Sequence, residues 1–194
     1  KKGVITKQDI LNAESKVESG KTGSDNSVTE STTSSKRVPM TRLRSVVAKR
    51  LLESQSQTAS LTTFNEVDLF EVKELRAKYK EIFEEKFGVK LGFMGMFLKA
   101  SSIALQEMPI VNASIDGDDI VYHGFQDIGV AVSTDRGLVV PVVRDVQNQS
   151  IAEIELAIRD YSIKARDGKL GIEDMIGGKF NISNGGVFGS ILSI

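Results

Sequence analysis

Hydrophobic positions along the chain recur with two periods. Met40, Leu43, Val47 and Leu51 fall at helical spacing, with Arg42, Arg44, Lys49 and Arg50 on the remaining surface. Val72, Leu75, Tyr79, Ile82 and Phe83 place a second apolar stripe on a helix that Gly88 suits to close. Residues 93–108 are apolar almost all round and threaded with Ala100, Ser101, Ser102 and Ala104, which predicts a buried third helix. Ile151, Ile154, Ile158 and Tyr161 predict a fourth, ended by Arg166-Asp167-Gly168. Asp68-x-x-Glu71 and Ser150-x-x-Glu153 read as capping boxes that open the second and fourth helices.

Between the helices the period changes. Residues 61–69 are rich in Thr, Phe and Val and predict a strand. Residues 111–115 and 120–123 predict two short strands joined through Asp116-Gly117-Asp118. Ile128, Val130 and Val132 alternate with small residues, and residues 137–143 form a continuous apolar run in which Pro141 indicates an edge or a bulge. Residues 179–183 predict the last strand. Strands and helices interleaved in this order predict an α/β protein, a mixed sheet with helices packed against it.

The front of the chain differs. Residues 3–13 read as a turn and short helix, with Thr6 as cap and Ile10 and Leu11 as its apolar face. From 14 to 36 Ser and Thr dominate, and Val17 and Val28 are the only sizeable apolar side chains. Such a stretch cannot offset its ordering entropy and predicts a flexible linker. The expected organisation is thus 1–13 as a remnant of a small domain, 14–36 as linker and 37–194 as the compact domain.

Composition narrows the chemistry. The 194 residues carry 25 Lys and Arg against 26 Asp and Glu, a net charge of −1, which gives no footprint for nucleic acid. No cysteine is present, so a thiolate metal site and a cysteine nucleophile are excluded within these residues. No apolar run reaches the length needed to span a bilayer, so no membrane contact is expected. The single histidine, His123, follows Tyr122 and precedes Gly124 with no orienting carboxylate at useful spacing, and reads as a surface or packing residue. Asp116, Asp118 and Asp119 lack the ligand alternation of a calcium loop and read as a polar turn. Ser183 is followed by Asn184-Gly185-Gly186, a hydroxyl beside glycines that let a ligand approach the backbone. Outside a Gly-x-Ser-x-Gly elbow, Ser183 reads as a hydroxyl donor and not a nucleophile, with Asn184 and Gly185 as candidate substrate contacts.

Several segments in order resemble one family. They are Arg37-Val38-Pro39-Met40-Thr41-Arg42-Leu43-Arg44 with Ala48-Lys49-Arg50-Leu51, Leu61-Thr62-Thr63-Phe64-Asn65-Glu66-Val67-Asp68, Lys90-Leu91-Gly92-Phe93-Met94 and Val111-Asn112-Ala113-Ser114-Ile115-Asp116-Gly117-Asp118. Arg136-Gly137-Leu138-Val139-Val140-Pro141-Val142 and Ile182-Ser183-Asn184-Gly185-Gly186-Val187-Phe188-Gly189-Ser190 complete the set. The chain resembles the acyltransferase components of the 2-oxo acid dehydrogenase complexes, and its second and third segments are similar to the succinyl-transferring branch, which serves the 2-oxoglutarate dehydrogenase complex of the tricarboxylic acid cycle. An acetyl- or branched-chain-transferring sister, and a non-catalytic core scaffold, are the alternatives.

The resemblance implies a chloramphenicol-acetyltransferase-like fold assembled as trimers in a polyhedral core, here incomplete at its C-terminus. Residues 1–13 resemble the end of that family's peripheral subunit-binding domain. The implied reaction moves a succinyl group between dihydrolipoamide, whose lipoate sits on a separate lipoyl domain, and coenzyme A. A histidine in a His-x-x-x-Asp-Gly motif acts as base, and the hydroxyl matching Ser183 steadies the oxyanion. A buried cation is expected for the distal carboxylate. In relatives the base motif falls beyond Ile194, so these residues alone are expected to show little or no activity. The implied partners are the 2-oxoglutarate decarboxylase component and dihydrolipoamide dehydrogenase. The implied setting is the cytoplasm of a bacterium, or the mitochondrial matrix of a eukaryote.

Overall fold

The computed structural model of the chain describes residues 35–135 and 137–190, and it divides at Leu61–Thr62 into two units. The expected domain remnant at 1–13 and the linker up to residue 34 lie outside the described residues. In the first unit the described structure is one helix, α1 (Arg42–Gln57). Thr41 caps it, its hydroxyl accepting from the Arg44 backbone N–H at 3.3 Å.

The second unit begins with a correction. Residues 62–69 form no strand, and Phe64 and Val67 are exposed; high β-propensity yields a strand only where a ladder partner exists. Helix α2 (Phe70–Phe87) then opens without the expected capping box, because it starts two residues after Asp68 and not one. Asp68 Oδ1 accepts from the Phe70 backbone N–H at 2.9 Å, a local turn outside the helix proper. Gly88 closes α2 as expected, at φ +66°, where a β-carbon would be strained.

Helix α3 (Phe93–Glu107) buries one stripe, Gly95, Leu98, Ser102 and Leu105, while Ile103 is exposed. It is therefore a one-sided helix and not one buried all round. A 3₁₀ turn (Pro109–Asn112) leads to the hairpin of β1 (Ser114–Asp116) and β2 (Asp119–Val121), with Gly117 left-handed at φ +60°. Strands β3 (Ile128–Val130) and β4 (Val132–Thr134) follow. The apolar run expected to be one strand is two, β5 (Gly137–Val139) and β6 (Val142–Val143), in different sheets. Pro141 cannot donate to a ladder, and the chain changes sheets there; its carbonyl still accepts from Val130 N–H at 2.9 Å.

After a second 3₁₀ turn (Val146–Asn148), helix α4 (Ile151–Arg166) starts with the predicted capping box complete, Ser150 and Glu153 satisfying each other's backbone N–H groups. Strand β7 (Phe180–Ile182) and a last 3₁₀ turn (Gly186–Phe188) end the described chain.

The central sheet runs β6-β3-β7, β3 antiparallel to β6 and parallel to β7, and is mixed as expected. Alternation along β3 sends Ile128 and Val130 to one face, where they join Leu98 and Leu105 of α3, Ile154 of α4, Val143 and Val146 in a fully buried core. Phe180 and Ile182 of β7 pack against it. Val142 and Val143 are buried, whereas Leu138 and Phe188 are exposed.

Candidate active site

Parallel pairing of β3 with β7 matches Val130 to Ile182, and the Ile182 carbonyl accepts one further bond from Ala131 N–H at 3.0 Å. Ser183 is the next residue, held where the ladder stops and exposed. The turn beyond it is closed by its own bonds. Asn184 Oδ1 accepts from Gly186 N–H at 3.0 Å, and the Gly185 carbonyl accepts from Phe188 N–H at 3.0 Å. Gly189 exits at φ +74°.

Ser183, Asn184, Gly185 and Phe188 form one wall of a cleft of about 440 Å³. Val130 and Ala131, then Val132, Ser133 and Leu138 of the β4–β5 hairpin, form the second; Met94 of α3 with Ile158 and Ser162 of α4 forms the third. Mostly apolar walls with a few polar groups among them characterise a small-molecule site. The structure thus brings the three sequence candidates together in one concave place. Asn184 also has a local task the sequence did not reveal, since its side-chain oxygen is spent on the turn.

His123 lies away from this cleft's lining; its Nε2 is 2.9 Å from Ser114 Oγ and its ring tilts against Phe125 at 5.4 Å. No cation lines the cleft among the described residues. The polar groups there are the hydroxyls of Ser133, Ser162 and Ser183 and the Asn184 amide. Ser162 donates to the Ile158 carbonyl at 2.7 Å.

One functional-looking group escaped sequence reasoning. Glu155, on α4 one turn before Ile158, is 8% exposed, and its Oε1 accepts from the Gly95 backbone N–H at 2.8 Å. Burial raises its pKa above the ordinary carboxylate value, while hydrogen bonds from Gly95 and Gly92 and the Arg76 guanidinium oppose the rise. The signal was the pair Gly92 and Gly95, three apart at a helix start. A β-carbon on either would meet Glu155 Oε1, at 2.8 Å and 2.7 Å.

The sequence profile of the 2-oxoacid dehydrogenases acyltransferase (catalytic domain) matches residues 32–193. The chain belongs to this acyltransferase family. A Pseudomonas aeruginosa relative, the dihydrolipoyllysine-residue succinyltransferase component of the 2-oxoglutarate dehydrogenase complex, is 65% identical over 159 residues, which is 81% of this chain and 39% of the relative. The acyltransferase chain thus spans well under half the length of that relative. Among solved structures, the Azotobacter vinelandii dihydrolipoamide acetyltransferase, studied for a serine, a histidine and an asparagine in its catalytic mechanism, superimposes with a TM-score of 0.73 at 35% identity. That match covers 77% of this chain and 62% of the other. The cubic core of the pyruvate dehydrogenase multienzyme complex gives 0.73 at 32% identity, covering 84% of this chain and 68% of that one. The mixed α/β, chloramphenicol-acetyltransferase-like class expected from the sequence is the fold of this acyltransferase domain.

Proposed function

We propose that this acyltransferase domain belongs to an enzyme that transfers a succinyl group between dihydrolipoamide and coenzyme A in the 2-oxoglutarate dehydrogenase complex. The observation that carries the reading is Ser183, fixed by the last β3–β7 ladder bond at the rim of an apolar cleft. The succinyltransferase name of the 65%-identical relative supports the acyl group chosen. Thioester exchange needs a thiolate sulfur to add to the thioester carbonyl, with the C–S bond to the donor breaking and the departing sulfur taking a proton. The Ser183 hydroxyl donates to the carbonyl oxygen as it gains charge. The apolar walls, Val130, Val132, Leu138 and Ile158, match the hydrocarbon part of the acyl-bearing arm.

His123 does not line the cleft, so the base implied by the family resemblance is not supplied by the described residues. The whole enzyme works in a self-associated core with the 2-oxoglutarate decarboxylase component and dihydrolipoamide dehydrogenase as partners. It does so in the cytoplasm of a bacterium, or in the matrix of a mitochondrion.

The test is steady-state turnover of succinyl-CoA with dihydrolipoamide by the intact enzyme and its Ser183→Ala variant. The substitution is expected to lower kcat by about 10²-fold with little change in KM, the size seen when one oxyanion donor is lost. Unchanged kcat would remove Ser183 from the chemistry, and preference for acetyl-CoA would move the enzyme to a sister complex.

A further inference from the structure

The cleft's third wall is built by two helices that meet through one buried carboxylate. Met94 lies in the first turn of α3 and Ile158 one turn beyond Glu155 on α4. Helix α3 has no side-chain cap of its own, because its N-cap residue is Gly92. One orphan N–H of its first turn is met from outside, by Glu155 Oε1 at 2.8 Å from Gly95 N. The carboxylate fits there because neither Gly92 nor Gly95 carries a β-carbon.

We propose that Glu155 is a positioning residue for acyl transfer, its carboxylate holding the first turn of α3 against α4 and so fixing how far Met94 stands from Ile158 within that wall. The inference rests on the acyl-transfer reading of that cleft. Glu155 touches no substrate; it acts through Met94. Two observations separate it from an ordinary buried contact. A charged group so fully enclosed disfavours its own ionised state, so a fold selected for stability alone gains nothing from it. The hydrogen bond also ends on α3 one residue from the cleft-lining Met94.

The charged groups around Glu155 leave it the clamp's one titrating member. Arg76 of α2 is the cation that acts on it, and that guanidinium is itself anchored, Nε donating to the Leu91 carbonyl at 2.7 Å and Cζ lying 5.2 Å from the Phe93 ring centre. Lys99 of α3 is turned to the carbonyls of Gln147 and Gln149, at 2.9 and 2.7 Å. Arg159 of α4 donates to the Gly88 carbonyl at 2.8 Å. Burial raises the Glu155 pKa, so the carboxyl protonates on the acid side at a pH above the ordinary value of 4.5. There one oxygen changes from acceptor to donor and the clamp loosens.

The experiment uses the intact enzyme and Glu155→Gln, which keeps the shape and replaces one acceptor oxygen with a donor. KM for the succinyl-bearing substrate is expected to rise about fivefold while kcat changes less than about twofold, with thermal stability at neutral pH equal to or above that of the parent. In the parent, KM rises toward acid pH; in Glu155→Gln it stays flat. Gly95→Ala, which pushes a methyl group onto the same carboxylate, should reproduce the KM rise and covers the case of a Gln variant that does not fold. An unchanged KM and acid limb in both variants overturns the proposal. So does a joint collapse of stability, kcat and KM, which marks a merely structural group. If the parent itself does not transfer succinyl groups, the acyl-transfer reading fails separately. The clamp is then judged by amide hydrogen exchange across residues 92–96: faster exchange in Glu155→Gln upholds it, and equal exchange removes it.

Discussion

At the scale of the residue, Gly129 shows how closely the site is built. It sits on β3 opposite Asn181 of β7, and the space its missing side chain leaves is filled by Asn181 Oδ1 and Val140 Cγ1. Gly129→Ala drives a methyl group into the Asn181 and Val140 side chains, and is expected to cost about 1–3 kcal/mol in denaturant unfolding. Because Asn181 lies two residues before Ser183, the same change should lower kcat as well as stability. Equal melting of variant and parent would show that the strands part without cost. Asp127 offers a second test. It is 9% exposed, its Oδ2 accepts from Arg144 Nη1 at 2.8 Å and its Oδ1 from the Asp145 backbone N–H at 2.9 Å. Asp145 is held at φ +50° there, the one described non-glycine with positive φ. Asp127→Ala strands both donors and is expected to destabilise by about 1–3 kcal/mol, read by denaturant midpoint.

At the scale of the element, the capping box of α4 makes a prediction with a definite sign. Backbone and side-chain bonds to Ser150 lower the Glu153 pKa. A carboxylate with a depressed folded pKa contributes stability that is present above the unfolded value and lost as pH falls through the folded one. The window therefore lies below 4.5, the reverse of Glu155, whose contribution is full below 4.5 and fades as pH rises through its raised pKa. Ser150→Ala is expected to lower stability by about 1 kcal/mol at neutral pH in thermal unfolding, with the deficit shrinking under acid. A deficit independent of pH would mean that the carboxylate takes no part in the cap.

The same scale shows what the sequence made legible. Helical periodicity found α1 to α4, since a stripe at period 3.6 is set by local spacing. The box at Ser150-x-x-Glu153 formed and the one at Asp68-x-x-Glu71 did not, although the motif is the same. The difference lies in where α2 begins, which packing beyond the motif decides. The strands were less legible, because a ladder partner is a long-range fact. Residues 61–69 have β-propensity and form no ladder, while the run through Pro141 serves two sheets. Ser183 was visible because hydroxyl and glycines are adjacent in sequence. Glu155 was not, because the groups it serves are sixty residues away and are glycines, whose message is an absent side chain.

At the scale of the whole molecule, apolar surface points to self-association. Leu75, Tyr79 and Ile82 recur along α2 at helical spacing and are exposed, and no residue of α2 is buried. On the self-associated core proposed above, a second copy of the chain is the expected occupant of that stripe. Ile82→Lys is expected to shift the intact enzyme to smaller species in sedimentation velocity while leaving its helix content unchanged. An unaltered sedimentation profile would place the contact elsewhere.

The parallel pairing of β3 with β7 has a further consequence, for the order in which the protein is made. Ser183 is in place only once Phe180–Ile182 has crossed back to lie beside Ile128–Val130, with α4 contained in the connection between them. The hairpin β1–β2 and the helix α4 need only near neighbours, whereas this pairing closes a long loop and waits for the helices that cover it. Among the described elements the cleft is therefore one of the last parts to form. Until it does, Ile182 and Phe180 lack the core they will pack against.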